Sequence, residues 1–299
     1  MIDQLCSLFR RCFPYAVRSD DALRETLACP DNRIITREDD GRIIAAAVLR
    51  GNAVLMLAVD EPYRRQGIGA ALLARAEEII RAAGHEHIVI GVGDTYLTPG
   101  VPVREQPFPE ALLREALDPR IPPDNAAFFR KRGYVHREGE GNIFDMQMDI
   151  TPAVQSIPLR SGMTCRFAHP AERSAVLSCA REAYAEFAPY YEDEGLYQPD
   201  APEKVFIILE GEQVAGGVLV GFGTESPGLG SIGCTWVHPA FRGRGAGTDL
   251  CIAAVQALER AGLKRGYLSY TYSGLDRMYG AAGFGVSCYY FMAKKALND

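Results

Sequence analysis

Apolar residues recur at helical spacing along two stretches of the chain, 69–84 and 247–262. Each stretch begins at a glycine pair and ends at a glycine, the residue that most readily takes the left-handed conformation closing a helix. The pattern therefore predicts two amphipathic helices of equal length. Their apolar positions are Leu72, Ala76, Ile79, Ile80 and Ala83 in the first, and Leu250, Ala254, Ala257, Leu258 and Ala261 in the second.

Strand-like apolar runs flank both helices. The first helix lies between "AVLMLAV" (53–59) and "HIVIGVG" (87–93), and the second between "SIGCTWV" (231–237) and "GYLSYTY" (266–272). A strand, a helix and a second strand in this order form a βαβ unit, whose two strands are parallel neighbours in one sheet. The sequence thus predicts two such units.

Two-strand patterns also occur twice, at 32–50 and 204–222, each upstream of a βαβ unit. A repeat of this length indicates a duplicated domain rather than a solenoid. Residues 149–165 carry prolines and little periodicity, so we place the boundary there. The prediction is a mixed α/β fold of two tandem domains, 1–150 and 158–299, each a mixed twisted sheet with flanking helices.

Length, charge and cysteine content narrow the function classes. The 299 residues suit two domains better than one core, and the net charge of −6 argues against a nucleic-acid-binding surface. The eight cysteines include no C-x-x-C pair, which predicts reduced thiols and no metal site. No apolar run is long enough to span a membrane, and the first residues lack the pattern of a secretory signal. A cytoplasmic protein without nucleic-acid or membrane partners is therefore expected.

An arginine-glycine turn precedes each helix, "RRQGIG" at 64–69 and "RGRGAG" at 242–247. The first amides of a helix have no intrahelical acceptor and carry the positive end of the helix dipole. Glycine lets a ligand approach these amides closely, and arginine adds charge-assisted donors. The two turns are therefore predicted to bind a pyrophosphate group.

Three alternatives to a pyrophosphate turn can be weighed on the same residues. A dinucleotide-binding fingerprint requires a third glycine, which "GIGAAL" and "GAGTDL" lack. A Walker-type phosphate loop requires a lysine after the glycines, and neither turn has one. A glycine turn needed only for packing stays open, although its occurrence twice in the same context weakens it.

Both turns resemble the hallmark of the GNAT superfamily of acyl-CoA-dependent N-acyltransferases, Q/R-x-x-G-x-G/A after the fourth strand. The similar stretches are "VDEPYRRQGIG" and "VHPAFRGRGAG", and a second family element appears as "FFRKRGY" (128–134) and "MYGAAGF" (278–284). The resemblance implies two tandem GNAT-type domains and acetyl-CoA as the co-substrate, with its pantetheine arm between two splayed parallel strands. A strand-end amide would bind the thioester carbonyl. The implied cofactor-binding residues are Val59, Arg64, Arg65, Gln66, Gly67, Ile68 and Gly69 in the first copy, and Val237, Arg242, Gly243, Arg244, Gly245, Ala246 and Gly247 in the second.

The resemblance also implies that the copies differ in catalytic competence. The aromatic residue four positions before the helix-end glycine is often a tyrosine in this family, and its hydroxyl can protonate the departing CoA thiolate. The second copy has Tyr279 at this place, whereas the first has Phe129. We therefore assign acetyl transfer to the C-terminal copy. An active N-terminal copy and a non-catalytic CoA-binding or CoA-sensing module remain as alternatives.

Residues 93–125 form an insertion that the second copy lacks. This segment is proline-rich and long for a connection, which is typical of lids and binding loops. We expect it to cover the acyl end of the first pocket or the cleft between the domains, or to act as a structural strap.

Aromatic and acidic side chains concentrate in residues 182–200 of the second copy. Both kinds of side chain attract cations, which suits a primary amine acceptor on a small molecule or a peptide; a solvated acidic loop is the alternative. The amine must lose a proton before it attacks, and Glu186 and Glu192 are the candidate bases. Cys234 is expected to be a core thiol, and a homodimer stays open.

Overall fold

The secondary structure comprises seven α-helices and fourteen strands within residues 1–91, 97–108, 115–123, 125–137 and 141–297, the parts of the chain that this computed structural model describes. The helices are α1 Ile2–Cys12, α2 Asp20–Ala28, α3 Ile68–Ala82, α4 Asn125–Arg130, α5 Arg173–Ala183, α6 Ala246–Arg260 and α7 Asp276–Ala281. The strands are β1 Arg33–Asp39, β2 Arg42–Arg50, β3 Ala53–Val59, β4 His87–Ile90, β5 Val101–Val103, β6 Val135–His136, β7 Ile143–Asp149, β8 Thr164–Phe167, β9 Glu203–Glu210, β10 Gln213–Phe222, β11 Leu229–Val237, β12 Arg265–Tyr272, β13 Gly285–Phe291 and β14 Ala293–Ala296.

The first sheet has the strand order β1-β2-β3-β4-β14-β6. Strands β1, β2 and β3 are antiparallel neighbours, whereas β3 and β4 are parallel, with Val54 opposite Ile90. Helix α3 connects the parallel pair, which confirms the first predicted βαβ unit. Gly67 is its N-cap, and Gly84, with a φ of 86°, follows its C-terminal end. Glycines therefore stand at both ends of the helix, as the sequence predicts.

The second sheet has the strand order β5-β13-β7-β12-β11-β10-β9-β8. Strands β8 to β11 are antiparallel neighbours, and β11 is parallel to β12, with Ser231 opposite Tyr267. Helix α6 connects this parallel pair, beginning after Gly245 and ending just before Gly262, whose φ is 84°. The second βαβ unit and the tandem mixed α/β fold are therefore confirmed.

Three strands lie in the sheet of the other half of the chain. Strand β14, near the end of the chain, lies in the first sheet between β4 and β6. Strands β5 and β7, from the first half, lie in the second sheet, β5 at the edge beside β13 and β7 between β13 and β12. The compact units are accordingly Met1–Glu110 with Leu117–Phe144 and Cys288–Asp299, and Ala111–Ala116 with Asp145–Ser287. These units differ from the predicted contiguous ranges 1–150 and 158–299, because the neighbours that complete each sheet come from distant sequence.

Each unit has an apolar core that joins a helix to one face of its sheet. In the first unit α1 contributes Leu5, Leu8 and Phe9 to a cluster with Val48 and Leu55. In the second unit, α5 side chains pack against alternate residues of β9, and we call this side of the second sheet its α5 face. The residues that define the face are Val176, Leu177, Ala180, Val205, Ile207, Leu209 and Trp236.

Substitution Lys294→Pro tests the place of β14 in the first unit. Lys294 is paired with Val89 of β4 on one side and Val135 of β6 on the other, so the lost amide hydrogen leaves a ladder bond unmade. We expect destabilisation by about 1–3 kcal/mol and faster amide exchange in 87–90, measured by hydrogen–deuterium exchange. Lys294→Ala is the matched control. Faster exchange confined to 145–287 would contradict the assignment.

Candidate active site

The two arginine-glycine turns have the same backbone conformation. Arg65 and Gly67 have φ values of 63° and 84°, and Gly243 and Gly245 have values of 73° and 84°. Gly67 and Gly245 are the N-caps of α3 and α6, each in the left-handed region. Residues that alternate between right- and left-handed conformations direct successive amides into one anion-binding concavity, which the sequence predicts here.

Space above the turns distinguishes a ligand site from a packing requirement. A Cβ added at Gly67 or at Gly245 would have no protein atom within 4 Å. By contrast, a Cβ at Gly247 would lie 2.9 Å from Met278 Sδ, and one at Gly69 would lie 3.6 Å from Phe128. Packing therefore accounts for Gly247 but not for Gly69, where the contacts are ordinary, and the left-handed φ of 84° accounts for the glycines at 67 and 245. The space above both turns leaves them accessible to the predicted pyrophosphate group.

The first arginine of each turn holds the end of the preceding strand. Arg64 Nε donates to the carbonyl oxygen of Val59, and Arg242 Nε donates to that of Val237, both at 2.9 Å. Arg242 Nη2 also donates to the carbonyl of Ala183 at 3.1 Å. These bonds fix the geometry of the turn against the strand, while phosphate contact by either arginine stays a prediction. Arg244, in turn, forms an ion pair with Glu210 of β9.

Each parallel strand pair opens into a wedge. The ladder of β3 and β4 reaches Gly91, whose amide donates to Val54, although β3 continues to Val59. The ladder of β11 and β12 ends at Ser231 and Tyr267, although β11 continues to Val237. Beyond these points the two strands of each pair are no longer hydrogen-bonded neighbours within the described residues. The splayed strands implied by the family resemblance are thus present.

The amides of Val59 and Val237 point into the wedges. The next amide along each strand bonds in the opposite direction: Asp60 donates to Ile44 at 2.8 Å, and His238 donates to Ala215 at 2.9 Å. Consecutive amides of an antiparallel strand face opposite edges, so the preceding amide faces the wedge. Both amides therefore have the direction that binding a thioester carbonyl requires.

Strand β11 of the second unit differs from β3, its counterpart in the first unit, in how far its side chains are exposed. A register shift between Gly217 and Leu219 places an extra residue in β11 at Cys234, whose φ is 50°. Around this bulge several β11 side chains are partly exposed, and a Cβ added at Gly233 would meet nothing within 4 Å. Residues 53–56 of β3 are buried throughout. Side chains of β11 around the bulge are therefore more exposed than those of residues 53–56 of β3.

The insertion of the first unit packs against the end of β4. Gly91, which follows β4, has a φ of 72°, and an added Cβ would lie 2.5 Å from the carbonyl oxygens of Thr98 and Pro99. Leu97 belongs to the core cluster of that unit. Residues 97–99 of the insertion therefore lie close to the end of β4. Residues 93–96, 109–114 and 124 of the insertion lie outside the described residues.

Tyr279 and Phe129 occupy matching places on α7 and α4, and both are buried. Burial raises the pKa of Tyr279 well above its usual value, while the neighbouring Thr235 hydroxyl acts in the opposite direction. Thr235 lies on β11 at the bulge, and its Oγ1 is buried without a hydrogen-bond partner among the described residues. The structure therefore brings Tyr279 to the wedge of β11.

The aromatic residues of 182–200 divide into buried and exposed groups. Tyr191 is fully buried, and its hydroxyl donates to the carbonyl of Cys234 at 2.7 Å. Tyr197 donates to the carbonyl of Tyr191 at 3.0 Å. These two tyrosines hold the segment against the bulge. Tyr184 and Tyr190 are 40% and 55% exposed and are free to contact a ligand.

The two candidate bases lie in different surroundings. The pKa of Tyr184 is raised first by burial and then by Tyr272 and Glu186, so Tyr184 lies near both Glu186 and Tyr272 at the end of β12. Glu192 is exposed and forms an ion pair with Arg181 at 3.2 Å. Of the two carboxylates, Glu186 is the one that acts on Tyr184. Its role as the base stays a prediction.

Glu203, which begins β9, is not among the residues that the sequence predicts for the site. Its pKa is raised by burial and then by Glu225, and its charge acts on Cys234. The sequence feature that could have pointed to Glu203 is its spacing: it stands two residues before Val205, in the same alternating series as Ile207 and Leu209. Only the strand pairing shows that Glu203 lies on the α5 face of the sheet.

The described ranges also bear on metal and membrane binding. They contain no group of three His, Cys, Asp or Glu side chains arranged to hold a metal ion. No helix in the same ranges combines the length and the apolar character needed to cross a bilayer.

The sequence model of the acetyltransferase (GNAT) family matches residues 2–99 and 173–284, which are the two repeated regions. The chain belongs to this family. The family assignment confirms the tandem GNAT prediction, and acetyl-CoA is the donor that the family generally uses. No curated protein matches the sequence at a significant level.

Solved structures of GCN5-related and GNAT proteins share the fold at low sequence identity. A glucosamine N-acetyltransferase region of a fungal multi-domain GH3 β-N-acetylglucosaminidase has a TM-score of 0.70 and 18% identity, covering 98% of this GNAT chain and 36% of that one. A tandem GNAT protein from clavulanic acid biosynthesis has a TM-score of 0.68 and 19% identity, covering 100% and 95%. A GCN5-related N-acetyltransferase from Sphaerobacter thermophilus has a TM-score of 0.66 and 18% identity, covering 99% and 92%. The GNAT chain thus spans about a third of the fungal protein.

Substitution Tyr191→Phe tests whether the aromatic segment is held to the bulge. Removing the hydroxyl leaves the buried Cys234 carbonyl unpaired, so we expect a loss of about 1–3 kcal/mol in the free energy of unfolding. The exposed Tyr190→Phe is the control and should change it by less than about 0.5 kcal/mol. Urea unfolding followed by fluorescence of Trp236, whose ring lies 5.9 Å from Tyr191, measures both. Equal stability of the two variants would contradict the assignment.

Proposed function

We propose that this GNAT protein transfers an acetyl group from acetyl-CoA to a primary amine in a ternary complex, with the chemistry in the C-terminal unit. The observation that carries the proposal is the partly exposed stretch of β11 around Gly233 and Cys234, which leads to the open glycine turn before α6 and to Tyr279. The N-terminal unit has the turn, but residues 53–56 of its strand β3 are buried.

Binding of the donor is supported by the geometry of residues 242–247. The open turn before α6 offers amide hydrogens and a positive helix end to the diphosphate. The Val237 amide, directed into the wedge, would donate to the thioester carbonyl and stabilise negative charge on its oxygen during attack. Arg242 keeps this strand end in place through the Val237 carbonyl.

Tyr279 is proposed as the group that returns a proton to the CoA thiolate. Its raised pKa keeps the hydroxyl protonated through the neutral range, which a general acid requires. The unpaired Oγ1 of Thr235 beside it supplies a second polar atom in the wedge. Glu186 is proposed to accept the proton of the incoming amine, directly or through water.

The N-terminal unit is proposed to be inactive. Phe129 has no proton to donate, and the backbone of Thr98 and Pro99 lies against the strand end where the acyl group would enter. The alternative of an active N-terminal unit, and that of a CoA-binding module without turnover, each make different predictions for variants at the two turns.

The acceptor is proposed to be a cationic amine. Tyr184, Glu186 and Tyr272 supply exposed aromatic faces and a carboxylate near the end of β12. The similar fungal region is described as a glucosamine N-acetyltransferase, so an amino sugar belongs in the acceptor panel beside alkylamines and peptide amines.

Substitutions Gly245→Glu and Gly67→Glu test which turn binds the donor. Both glycines have a φ of 84° and open space above them, so the backbone strain is matched and the difference lies in the site. We expect Gly245→Glu to abolish acetyl transfer and Gly67→Glu to retain it, with acetyl-CoA binding followed by calorimetry. Gly245→Ala controls for strain without charge. Loss of transfer in Gly67→Glu alone would favour the N-terminal unit, and tight binding without any transfer would favour a sensing module.

Substitution Tyr279→Phe tests the general acid. We expect kcat to fall by about 10- to 100-fold with unchanged acetyl-CoA affinity, because only proton transfer is lost. The raised pKa keeps the tyrosine protonated below its folded value, so the loss should be the same from pH 6 to pH 9. Turnover and a pH–rate profile identical to those of the parent protein would remove Tyr279 from the mechanism.

A further inference from the structure

We propose that Thr235 is a positioning residue for Tyr279, and that its hydroxyl donates a hydrogen bond to the Tyr279 oxygen once Tyr279 has given its proton to the CoA thiolate. The proposal rests on the proposed function, in which Tyr279 is the general acid. It assigns a role to a buried hydroxyl that has no hydrogen-bond partner among the described residues.

The neighbours of Thr235 on β11 decide the side of the sheet that it faces. Cys234 and Trp236 both pack in the cluster on the α5 face. Side chains point to opposite sides of a strand in turn, so Thr235, which stands between these two residues, faces away from α5. Val237, two residues further along, faces the same way, because its Cγ2 would lie 3.5 Å from a Cβ at Gly247 of α6. The Thr235 side chain is therefore directed towards the α6 side.

Helix α7 brings Tyr279 to this same side. The residue before it, Met278, packs on Gly247, where a Cβ would lie 2.9 Å from the Met278 Sδ. Val237 packs on the same glycine, so α7 meets the end of β11 there. Tyr279 is only 4% exposed, which places its ring inside the packed layer between α7 and the sheet rather than in solvent.

Thr235, Tyr279 and Cys251 form a cluster of three neighbouring groups. Cys251 lies on α6 and is fully buried. Burial raises the pKa of both the Cys251 thiol and the Tyr279 hydroxyl, and the Thr235 hydroxyl acts in the lowering direction on each. A donor that stabilises the charged form of its neighbour has this effect. The Thr235 hydroxyl is thus beside two groups that could accept its hydrogen.

Charge decides which of the two neighbours receives the hydrogen bond during turnover. The raised pKa of Cys251 keeps its thiol protonated, and a neutral thiol sulfur is a weak acceptor. A phenolate oxygen is a strong one, because hydrogen bonds to ionised groups are shorter and stronger than those between neutral groups. Thr235 Oγ1 is buried and forms no hydrogen bond within the described ranges, so its hydroxyl is free to turn towards Tyr279.

The proton transfer creates the charge that Thr235 is proposed to stabilise. The O–H bond of Tyr279 breaks, an S–H bond forms on CoA, and the negative charge moves from sulfur to the phenolic oxygen. Burial disfavours a phenolate that has no donor. A hydrogen bond from Thr235 offsets this cost until the phenolate takes up a proton from water, equivalent to the one that the attacking amine has released.

The test is a double-mutant cycle between Thr235→Val and Tyr279→Phe in the full chain. Valine keeps the shape of threonine without the hydroxyl, so we expect kcat to fall about tenfold with an unchanged KM for acetyl-CoA. In the Tyr279→Phe background no phenolate forms, and Thr235→Val should then change kcat by less than about twofold. Thr235→Ser, which keeps the hydroxyl, should restore most of the lost turnover.

Stability and a matched control separate this role from a structural one. The Thr235 hydroxyl makes no hydrogen bond in the described structure, so Thr235→Val should not lower the free energy of unfolding in urea. Cys251→Ala removes the other neighbour of the hydroxyl. It should lower the stability, because it leaves a space in the core, and change kcat by less than about twofold.

Each outcome supports or overturns the assignment. Equal kcat in Thr235→Val and the parent protein overturns it, and so does an equal fall in the Tyr279→Phe background, since a structural effect does not need the Tyr279 hydroxyl. A loss that Thr235→Ser shares also overturns it. Unchanged turnover in Tyr279→Phe removes the general acid of the proposed function and Thr235 with it. Normal loss in Tyr279→Phe beside an inert Thr235→Val overturns the Thr235 assignment alone.

Discussion

The site depends on a parallel ladder that stops early. Strands β11 and β12 are paired only as far as Ser231 and Tyr267, yet β11 runs on to Val237. Backbone groups within a sheet need hydrogen-bond partners, so a strand that has lost its neighbour must be held by other groups. Arg242 satisfies the Val237 carbonyl, and the Val237 amide is left directed into the wedge. The same constraint therefore stabilises the strand end and leaves one amide available to the proposed donor.

The two units differ in what surrounds the strand that extends beyond its parallel partner, β3 in the first unit and β11 in the second. In the first unit, residues 53–56 of β3 are buried and the Thr98–Pro99 backbone packs against the end of β4. In the second unit, a bulge at Cys234 and the absent side chain of Gly233 leave part of β11 exposed. This difference is the reason for which the proposed function assigns the chemistry to the C-terminal unit.

Local patterns in the sequence predicted the parts of the fold that local interactions determine. The periodicity of α3 and α6 and their capping glycines needed no knowledge of distant residues, and the turns at Gly67 and Gly245 took the predicted conformation. Glu203 and the position of β14 could not be found in this way. Each depends on strand register between residues far apart in sequence, and a single glutamate before an apolar strand carries no sign of the face it occupies.

Strand β12, the parallel neighbour of β11, depends on β7, a strand whose sequence precedes the boundary between the repeats. Beyond Tyr267, β12 lacks β11 as a partner, and Tyr270 has a φ of 49°, a conformation that costs a non-glycine residue energy. Asp145 of β7 accepts the Tyr270 amide at 2.8 Å and the Tyr267 hydroxyl at the same distance. These bonds hold the bend that leads to Tyr272. Strand β7 therefore supports the second unit through side-chain hydrogen bonds as well as through strand pairing, although its sequence precedes the second repeat.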